Sequence, residues 1–140
     1  HDGEFGLLTG ARPGDDRIAA ARAAAAEFES TVLLKGPTTI VAAPPEFGAD
    51  DADHTGLTWA TDPSAPTLLI DRGDERLATA GSGDVLAGLI GAALAAGVHA
   101  PQAAAAAAWL HGAAADLGAP HGLLAGDIVD LLPDAIGRLR

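Results

Sequence analysis

The sequence predicts a single α/β domain, and three observations indicate that fold class. A helical pattern over residues 15–30 is followed by two short apolar runs, at 31–34 and 39–42, and helical patterns fill the carboxyl-terminal half. Short runs of β-branched and aliphatic residues are typical of strands buried on both faces. The length of 140 residues suits one domain over positions 1–140. A helix followed by buried strands therefore favours the α/β class.

The first helix is predicted from its start and its apolar spacing. Asp15 and Asp16 open it, where carboxylates stabilise the positive end of the helix dipole. Apolar residues then recur at three- and four-residue steps and predict one buried stripe. The stripe consists of Ile18, Ala21, Ala25 and Phe28.

Residues 44–66 break this alternation and predict a variable acidic loop within the domain. Asp50, Asp51, Asp53 and His54 lie there among Gly and Pro residues. Their spacing fits no Ca²⁺-binding loop, so we interpret the segment as solvated. Only residues 57–59 indicate a short strand inside it, and residues 67–70 predict the next one.

The clearest helical pattern runs over residues 84–97. Gly97 stands where a C-terminal cap belongs. Gly88 and Gly91 lower helix propensity inside it, so we expect them to permit close packing against a neighbouring element.

Two more helices are predicted after it. One covers residues 101–117, with Pro101 near its first turn. The other begins at Asp127, whose carboxylate is predicted to cap the N–H of Asp130. Pro133 lies too deep for a first-turn proline, so we expect this helix to kink or restart there.

Composition excludes several classes of function. The formal charge is −11, from 8 Lys+Arg against 19 Asp+Glu, which disfavours nucleic acid as a partner. The absence of Cys excludes disulfides, thiol catalysis and Cys-ligated zinc. No apolar run reaches the length of a membrane span and no targeting signal is visible, so we expect a soluble, cytoplasmic protein without a membrane partner.

The segment Gly81-Ser82-Gly83-Asp84 carries the most specific chemistry. Glycines let backbone N–H groups turn inward, and a following helix adds its positive end, which together predict a cradle for a phosphoryl group. Asp84 would repel a phosphate, so we interpret it as the base that takes a proton from a hydroxyl attacking phosphorus. The alternative is that Asp84 is only a helix N-cap, and the tetrapeptide alone favours that alternative.

Lys35 is the only lysine of the chain and directly follows a predicted strand. Open α/β sheets bind ligands at the carboxyl ends of their strands, so the turn at Lys35 predicts a second phosphate-binding segment. A surface lysine in a hairpin turn is the alternative. The P-loop pattern, Gly-x-x-x-x-Gly-Lys-Ser/Thr, is absent.

A family resemblance adds to these observations. The signature of the NAD(P)H-hydrate dehydratases, a branch of the ribokinase-like superfamily, closely resembles the run Leu77-Ala78-Thr79-Ala80-Gly81-Ser82-Gly83-Asp84-Val85-Leu86-Ala87-Gly88. Three further segments agree with the family in order: His1-Asp2-Gly3-Glu4-Phe5, then Val32-Leu33-Leu34-Lys35-Gly36 with Thr38-Thr39, and Trp109-Leu110-His111-Gly112 with Ala115-Asp116. The resemblance implies a ribokinase-like three-layer α/β/α sandwich.

The resemblance also implies an activity. Family members use a nucleoside di- or triphosphate to dehydrate the S-form of hydrated NADH or NADPH, restoring the coenzyme by phosphorylation of the ring hydroxyl and loss of phosphate. The implied enzyme is an ADP-dependent lyase of metabolite repair, with ATP as the alternative co-substrate and AMP as the product from ADP. Mg²⁺ would accompany the nucleotide, held largely by phosphates and water and by no protein ligand.

Site residues follow from the resemblance position by position. Asp84 and His1 would contact the hydrated coenzyme. The adenine nucleotide would contact Lys35, Gly36, Pro37, Thr38, Thr39 and Gly83. A homo-oligomer is implied as well.

The sequence departs from the family in two respects. Asp2 stands where relatives have Pro, and residues 71–75 replace a segment that normally carries Asn and Pro. Relatives also carry about a hundred residues before the first motif, on the order of a small domain, so we expect this chain to be the carboxyl-terminal part of one. A small-molecule kinase of the same superfamily and a non-catalytic nucleotide-binding fragment remain as alternatives.

Other candidate residues receive structural interpretations. His111 and Asp116 are five positions apart on a helix and do not face each other, so we expect packing or a local hydrogen bond. Trp109 is assigned to helix packing. The tripeptide Arg72-Gly73-Asp74 is interpreted as chance.

Overall fold

The computed structural model describes residues 1–44 and 67–139. The chain divides into two compact units, His1–Leu69 and Ile70–Arg140. Apart from its first residue, the predicted acidic loop at 44–66 lies outside the described residues, and so does the predicted strand at 57–59.

The first unit begins with two helices, α1 (Asp2–Thr9) and α2 (Arg17–Glu27). The sequence patterns did not predict α1. His1 caps it by accepting a hydrogen bond from the Gly3 N–H, and Gly10 ends it in the left-handed conformation, at φ 82°. The prediction of α2 is confirmed, with narrower bounds: the Asp16 side chain caps its start by accepting a hydrogen bond from the Ala19 N–H.

Three strands follow, β1 (Val32–Leu34), β2 (Thr39–Ala42) and β3 (Thr67–Ile70), in the order β1-β2-β3. β1 and β2 are antiparallel, with Leu34 opposite Ile40, so the turn between them is a hairpin connection. Burial on both faces is confirmed for β2 and wrong for β1, where only Leu34 is fully buried.

The core of the first unit is built from small residues of α2 against the sheet. The predicted stripe is right at its centre and wrong at its ends, because Ile18 is 38% and Phe28 41% exposed. Alanines lack bulk and let a helix approach a sheet closely, which shifts the buried face towards them. The buried cluster consists of Phe5, Ala21, Ala24, Ala25, Leu34, Ile40 and Ala42.

The second unit contains a 3₁₀ turn (Glu75–Ala78) and three helices, α3 (Ser82–Ala95), α4 (Ala100–Leu117) and α5 (Ala125–Gly137). α4 packs against both α3 and α5. Its small residues meet the apolar face of α5 in a core made of Ala113, Ala114, Ala115, Leu123, Ile128 and Ala135. No helix among the described residues is long and apolar enough to cross a membrane.

The end of α3 confirms the cap predicted at Gly97. Gly97 adopts φ 85°, and its N–H donates to the Leu94 carbonyl while that of Val98 donates to the Ala93 carbonyl. This pair of bonds satisfies the last helical carbonyls. An added Cβ at Gly88 or Gly91 would meet nothing within 4 Å among the described residues, so their packing role stays a prediction.

The start and the interior of α5 also differ from the prediction. Asp127 accepts a hydrogen bond from the Leu124 N–H at 2.8 Å, three residues before it, and does not cap Asp130. The helix continues through Pro133, so the predicted restart is wrong. Pro133 leaves the Val129 carbonyl without its helical donor, and Val129 is exposed, so water can replace that bond.

We expect Ile128→Ala to lower the free energy of unfolding by about 2–4 kcal/mol, because Ile128 is fully buried and its truncation leaves a cavity. Ile136→Ala is the matched control on the same helix. Since Ile136 is 50% exposed, its truncation should cost about 1 kcal/mol or less. Urea unfolding measures both values, and equal losses would contradict the assigned core.

Candidate functional site

The start of α3 is built on a left-handed glycine. Gly81 is the N-cap, at φ 85°, and no side chain caps the helix. Its carbonyl accepts from the N–H groups of Asp84 and Val85, at 3.0 and 3.2 Å. The Gly83 N–H has no backbone partner among residues 1–44 and 67–139. An unpaired amide at the positive end of a helix can donate to an anion.

Ser82 anchors this turn from inside. Its side chain is buried, and its hydroxyl donates to the Leu77 carbonyl at 2.5 Å. Its N–H donates to the Thr79 carbonyl at 3.3 Å. The Ser82 hydroxyl is therefore engaged in holding α3 to the 3₁₀ turn. Of the predicted cradle, the Gly81 and Gly83 amides have no backbone partner among the described residues.

Asp84 is the third residue of α3 and is exposed. The alternative interpretation of Asp84 as the N-cap is wrong, because Gly81 occupies that position and makes the cap without a side chain. No hydrogen bond or ion pair of the Asp84 carboxylate is found within the described part of the chain. A carboxylate held at a helix start without a partner is free to accept a proton from a ligand.

Lys35 lies in the hairpin turn after β1. Its Nζ is 3.9 Å from the Glu4 Oε2, and its side chain is 35% exposed. This placement matches the alternative interpretation in its geometry, a lysine in a hairpin turn, while the nucleotide-binding role stays a prediction. The rest of the predicted nucleotide turn follows, with Gly36 and Pro37 exposed and Thr38 and Thr39 half-buried.

Arg17 was missed by the sequence analysis and contacts this turn. Its Nη2 donates to the Lys35 carbonyl at 2.8 Å, and its Nη1 pairs with the Asp2 carboxylate. The guanidinium lies so close to Gly36 that an added Cβ there would be 2.6 Å from Nη2. The available signal was an arginine in the first turn of a helix, where the dipole disfavours a cation.

His1 and Lys35 are connected through Glu4 in the first unit. The His1 α-amino group donates to the Glu4 Oε2 at 2.7 Å, and the His1 Nδ1 accepts from the Gly3 N–H at 3.0 Å. The bond from the α-amino group lowers the pKa of Glu4, and the charge of Lys35 lowers it further. The first unit therefore brings His1 to the nucleotide turn, and the second brings Gly81, Ser82, Gly83 and Asp84 together at one helix start.

The described residues contain no group of three His, Cys, Asp or Glu side chains placed to hold a metal ion. Magnesium commonly binds through substrate phosphates and water, with few protein ligands.

We expect Gly81→Ala and Gly88→Ala to change stability in opposite directions. At position 81 the alanine would have to adopt the left-handed conformation, and its Cβ would lie 3.2 Å from the Ala125 Cβ. The free energy of unfolding should therefore fall by about 1–2 kcal/mol. At Gly88 the space is open, and alanine should stabilise α3 by about 0.5–1 kcal/mol. Denaturant titration measures both, and a shared sign would refute the assigned backbone at Gly81.

Comparisons with known proteins all indicate the same family. The model of the NAD(P)H-hydrate dehydratase family matches residues 54–136. The bifunctional NAD(P)H-hydrate repair enzyme Nnr of Mycobacterium leprae is 47% identical over 119 residues, which cover 85% of this chain and 21% of that enzyme. The ADP-dependent (S)-NAD(P)H-hydrate dehydratase of Neisseria meningitidis is 45% identical over 118 residues, 81% of this chain and 33% of the relative.

Solved structures agree. The ADP/ATP-dependent NAD(P)H-hydrate dehydratase of Bacillus subtilis, co-crystallised with ATP/Mg²⁺, matches with a TM-score of 0.77 at 29% identity. The match covers 100% of this chain and 46% of the solved one. The chain thus spans about half the length of the solved dehydratase and a fifth to a third of these two curated relatives. It has the ribokinase-like α/β fold of those structures and belongs to the NAD(P)H-hydrate dehydratase family.

Proposed function

We propose that this chain acts in the nucleotide-dependent dehydration of the S-form of hydrated NADH or NADPH, a repair reaction that restores the coenzyme. Membership of the dehydratase family supports the proposal. The observation that carries it is the Asp84 carboxylate, exposed in the first turn of α3 beside a donor amide that has no backbone partner among the described residues. That arrangement suits a base acting next to a phosphoryl group.

In the proposed reaction, Asp84 accepts the proton of the ring hydroxyl of the hydrated coenzyme. The hydroxyl oxygen bonds to the β-phosphorus of ADP, and the bond between that phosphorus and the bridging oxygen breaks, which releases AMP. Phosphate then leaves the ring with the carbon–oxygen electron pair, and the neighbouring ring carbon loses a proton to form the double bond. The products are AMP, phosphate, a proton and NADH or NADPH.

The start of α3 supports the transfer step electrostatically. The Gly83 N–H and the positive end of the helix dipole stabilise negative charge on the transferring phosphoryl group. Ser82 serves the same step indirectly, because its hydroxyl holds the turn to the Leu77 carbonyl. Gly81 provides the chain reversal that such a turn needs.

The turn at residues 35–39 is proposed to bind the adenine nucleotide through Lys35, Gly36, Pro37, Thr38 and Thr39. Glu4 lies 3.9 Å from the Lys35 Nζ and is largely exposed. Exposed ion pairs of this kind contribute about 0–1 kcal/mol, so a polyphosphate can replace the carboxylate at low cost. Arg17 holds the turn by its bond to the Lys35 carbonyl.

The remaining assignments follow the family. His1 is proposed to contact the hydrated coenzyme, ADP is the proposed co-substrate with ATP as the alternative, and Mg²⁺ supplies charge neutralisation when bound with the nucleotide phosphates. A homo-oligomeric state, the absence of a nucleic-acid partner and a cytoplasmic location stay predictions from the sequence.

We expect Asp84→Asn to reduce the rate of coenzyme recovery by about 10²–10⁴-fold, since a positioned base contributes about that much. ADP affinity should not fall, because the neutral side chain keeps its shape and no longer repels the phosphates. The reaction is followed by the absorbance of the reduced nicotinamide with hydrated NADH, ADP and Mg²⁺, and ADP binding by calorimetry.

Asp130→Asn is the matched control, an exposed carboxylate of α5 in the same unit. It should leave the rate unchanged. If the unaltered protein restores no reduced nicotinamide, the proposed function is wrong. Phosphorylation of a hydroxymethyl compound in its place would identify the kinase alternative, and ADP binding without either reaction the non-catalytic one.

We expect Lys35→Gln to weaken ADP binding by about 10- to 150-fold, because a charge-assisted hydrogen bond to phosphate contributes about 1.5–3 kcal/mol. Arg12→Gln removes an exposed cation from the same unit and should change affinity much less. Calorimetric titration at fixed ionic strength compares the two. Equal losses of affinity would show that ADP binding depends only on the net charge of the protein. Lys35 would then not belong to the nucleotide site.

A further inference from the structure

Arg72 connects the segment that precedes α3, residues 71–79 (the 71–79 segment), to helix α4. Its Nε is 2.7 Å from the Asp116 Oδ2, and its guanidinium carbon lies 5.3 Å from the centroid of the Trp109 ring. The packing or local hydrogen bond expected for Asp116 is therefore wrong, because Asp116 pairs with a residue distant in sequence. An arginine stacked on an aromatic ring and paired to a carboxylate is fixed in direction as well as in distance.

Gly112 lies between Trp109 and Asp116 on α4 and receives the backbone of Arg72. An added Cβ at Gly112 would be 2.4 Å from the Arg72 carbonyl oxygen and 2.9 Å from the Gly73 nitrogen. Gly73 itself adopts φ 89° at this contact. The segment is thus held by its main chain and by the Arg72 side chain together.

Arg76 brings a second cation to Asp116. Its Nη2 is 3.7 Å from the Asp116 Oδ1, and its Nη1 donates to the carbonyls of Gly118 and Ala119 at 3.3 and 3.2 Å. Its Nε donates to Asp74 at 2.8 Å, and this bond lowers the pKa of the Asp74 carboxyl. The two oxygens of Asp116 therefore face two arginines of one segment.

This segment leads directly to the start of α3. Arg76 and Leu77 belong to the same 3₁₀ turn, and the Leu77 carbonyl accepts the bond from the buried Ser82 hydroxyl. Ser82 is two positions before Asp84 in the first turn of α3. A continuous series of contacts thus joins Asp116 on α4 to the helix start that carries Asp84.

We propose that Asp116 is a positioning residue, which fixes the orientation of Asp84 by anchoring the 71–79 segment through Arg72 and Arg76. This inference rests on the proposed function. The Arg72 and Asp116 side chains are 46% and 33% exposed, so their pairing contributes at most about 1 kcal/mol to stability. Catalysis is more sensitive to geometry, since a displacement of about 1 Å can reduce a rate roughly 100-fold.

The test compares Asp116→Asn with Asp134→Asn, an exposed carboxylate of α5. We expect Asp116→Asn to lower kcat about 10-fold or more and to change the KM for ADP by less than about 2-fold. The reason is that the substitution disturbs the orientation of Asp84 and leaves the residues that bind ADP in place. Asp116→Glu, which keeps the charge, should restore part of kcat. Asp134→Asn should change neither value.

Hydrogen exchange gives a second readout that needs no activity. The amides of Asp84 and Val85 bond to the Gly81 carbonyl, so we expect them to exchange faster in Asp116→Asn and at the original rate in Asp134→Asn. Equal exchange in the two variants, or an unchanged kcat in Asp116→Asn, overturns the inference. If the unaltered protein lacks dehydration activity while exchange still responds to Asp116, the proposed function fails and the coupling stands.

Discussion

The left-handed conformation of Gly81 is the constraint on which the α3 site depends. At φ 85° the chain reverses between the 3₁₀ turn and α3, which lets the Ser82 hydroxyl bond back to the Leu77 carbonyl. Any residue with a Cβ would resist that conformation at a cost of about 1–2 kcal/mol. Because the cap is made by backbone alone, the helix start needs no carboxylate as its cap, and the Asp84 side chain stays exposed.

Several cationic side chains of the described residues lie beside carboxylates, which matters for a protein proposed to bind polyphosphate. Arg17 pairs with Asp2, Lys35 lies near Glu4, and Arg72 pairs with Asp116. The pairs differ in geometry: Lys35 is distant from its carboxylate, whereas Arg17 and Arg72 are also fixed by a carbonyl or an aromatic ring. Of these three cations, Lys35 is therefore the one least fixed by its neighbours.

Local patterns predicted the local features well. Helix α2, strand β2 and the cap at Gly97 depend on residues near each other in sequence, and all three were predicted. Helix α1 was not predicted because histidine is an unusual N-cap, although Glu4 and Gly10 indicated its two ends. The surroundings of Gly88 depend on distant segments, which a single sequence does not reveal. Arg17 was missed, and the pairing of Asp116 with Arg72 was not expected, for the same reason, since each contacts residues far along the chain.

The four residues of the signature have separate physical tasks, which explains why the tetrapeptide alone was ambiguous. Gly81 supplies the reversal, Ser82 the internal anchor, Gly83 the donor amide and Asp84 the exposed carboxylate. A side-chain N-cap would accept a hydrogen bond from one of the first helical amides and would occupy that donor. Here the serine hydroxyl points away from the first turn, towards Leu77, so the turn keeps both a hydrogen-bond donor and a proton acceptor for a ligand. That combination suits phosphoryl transfer, in which charge must be stabilised and a proton removed in the same step.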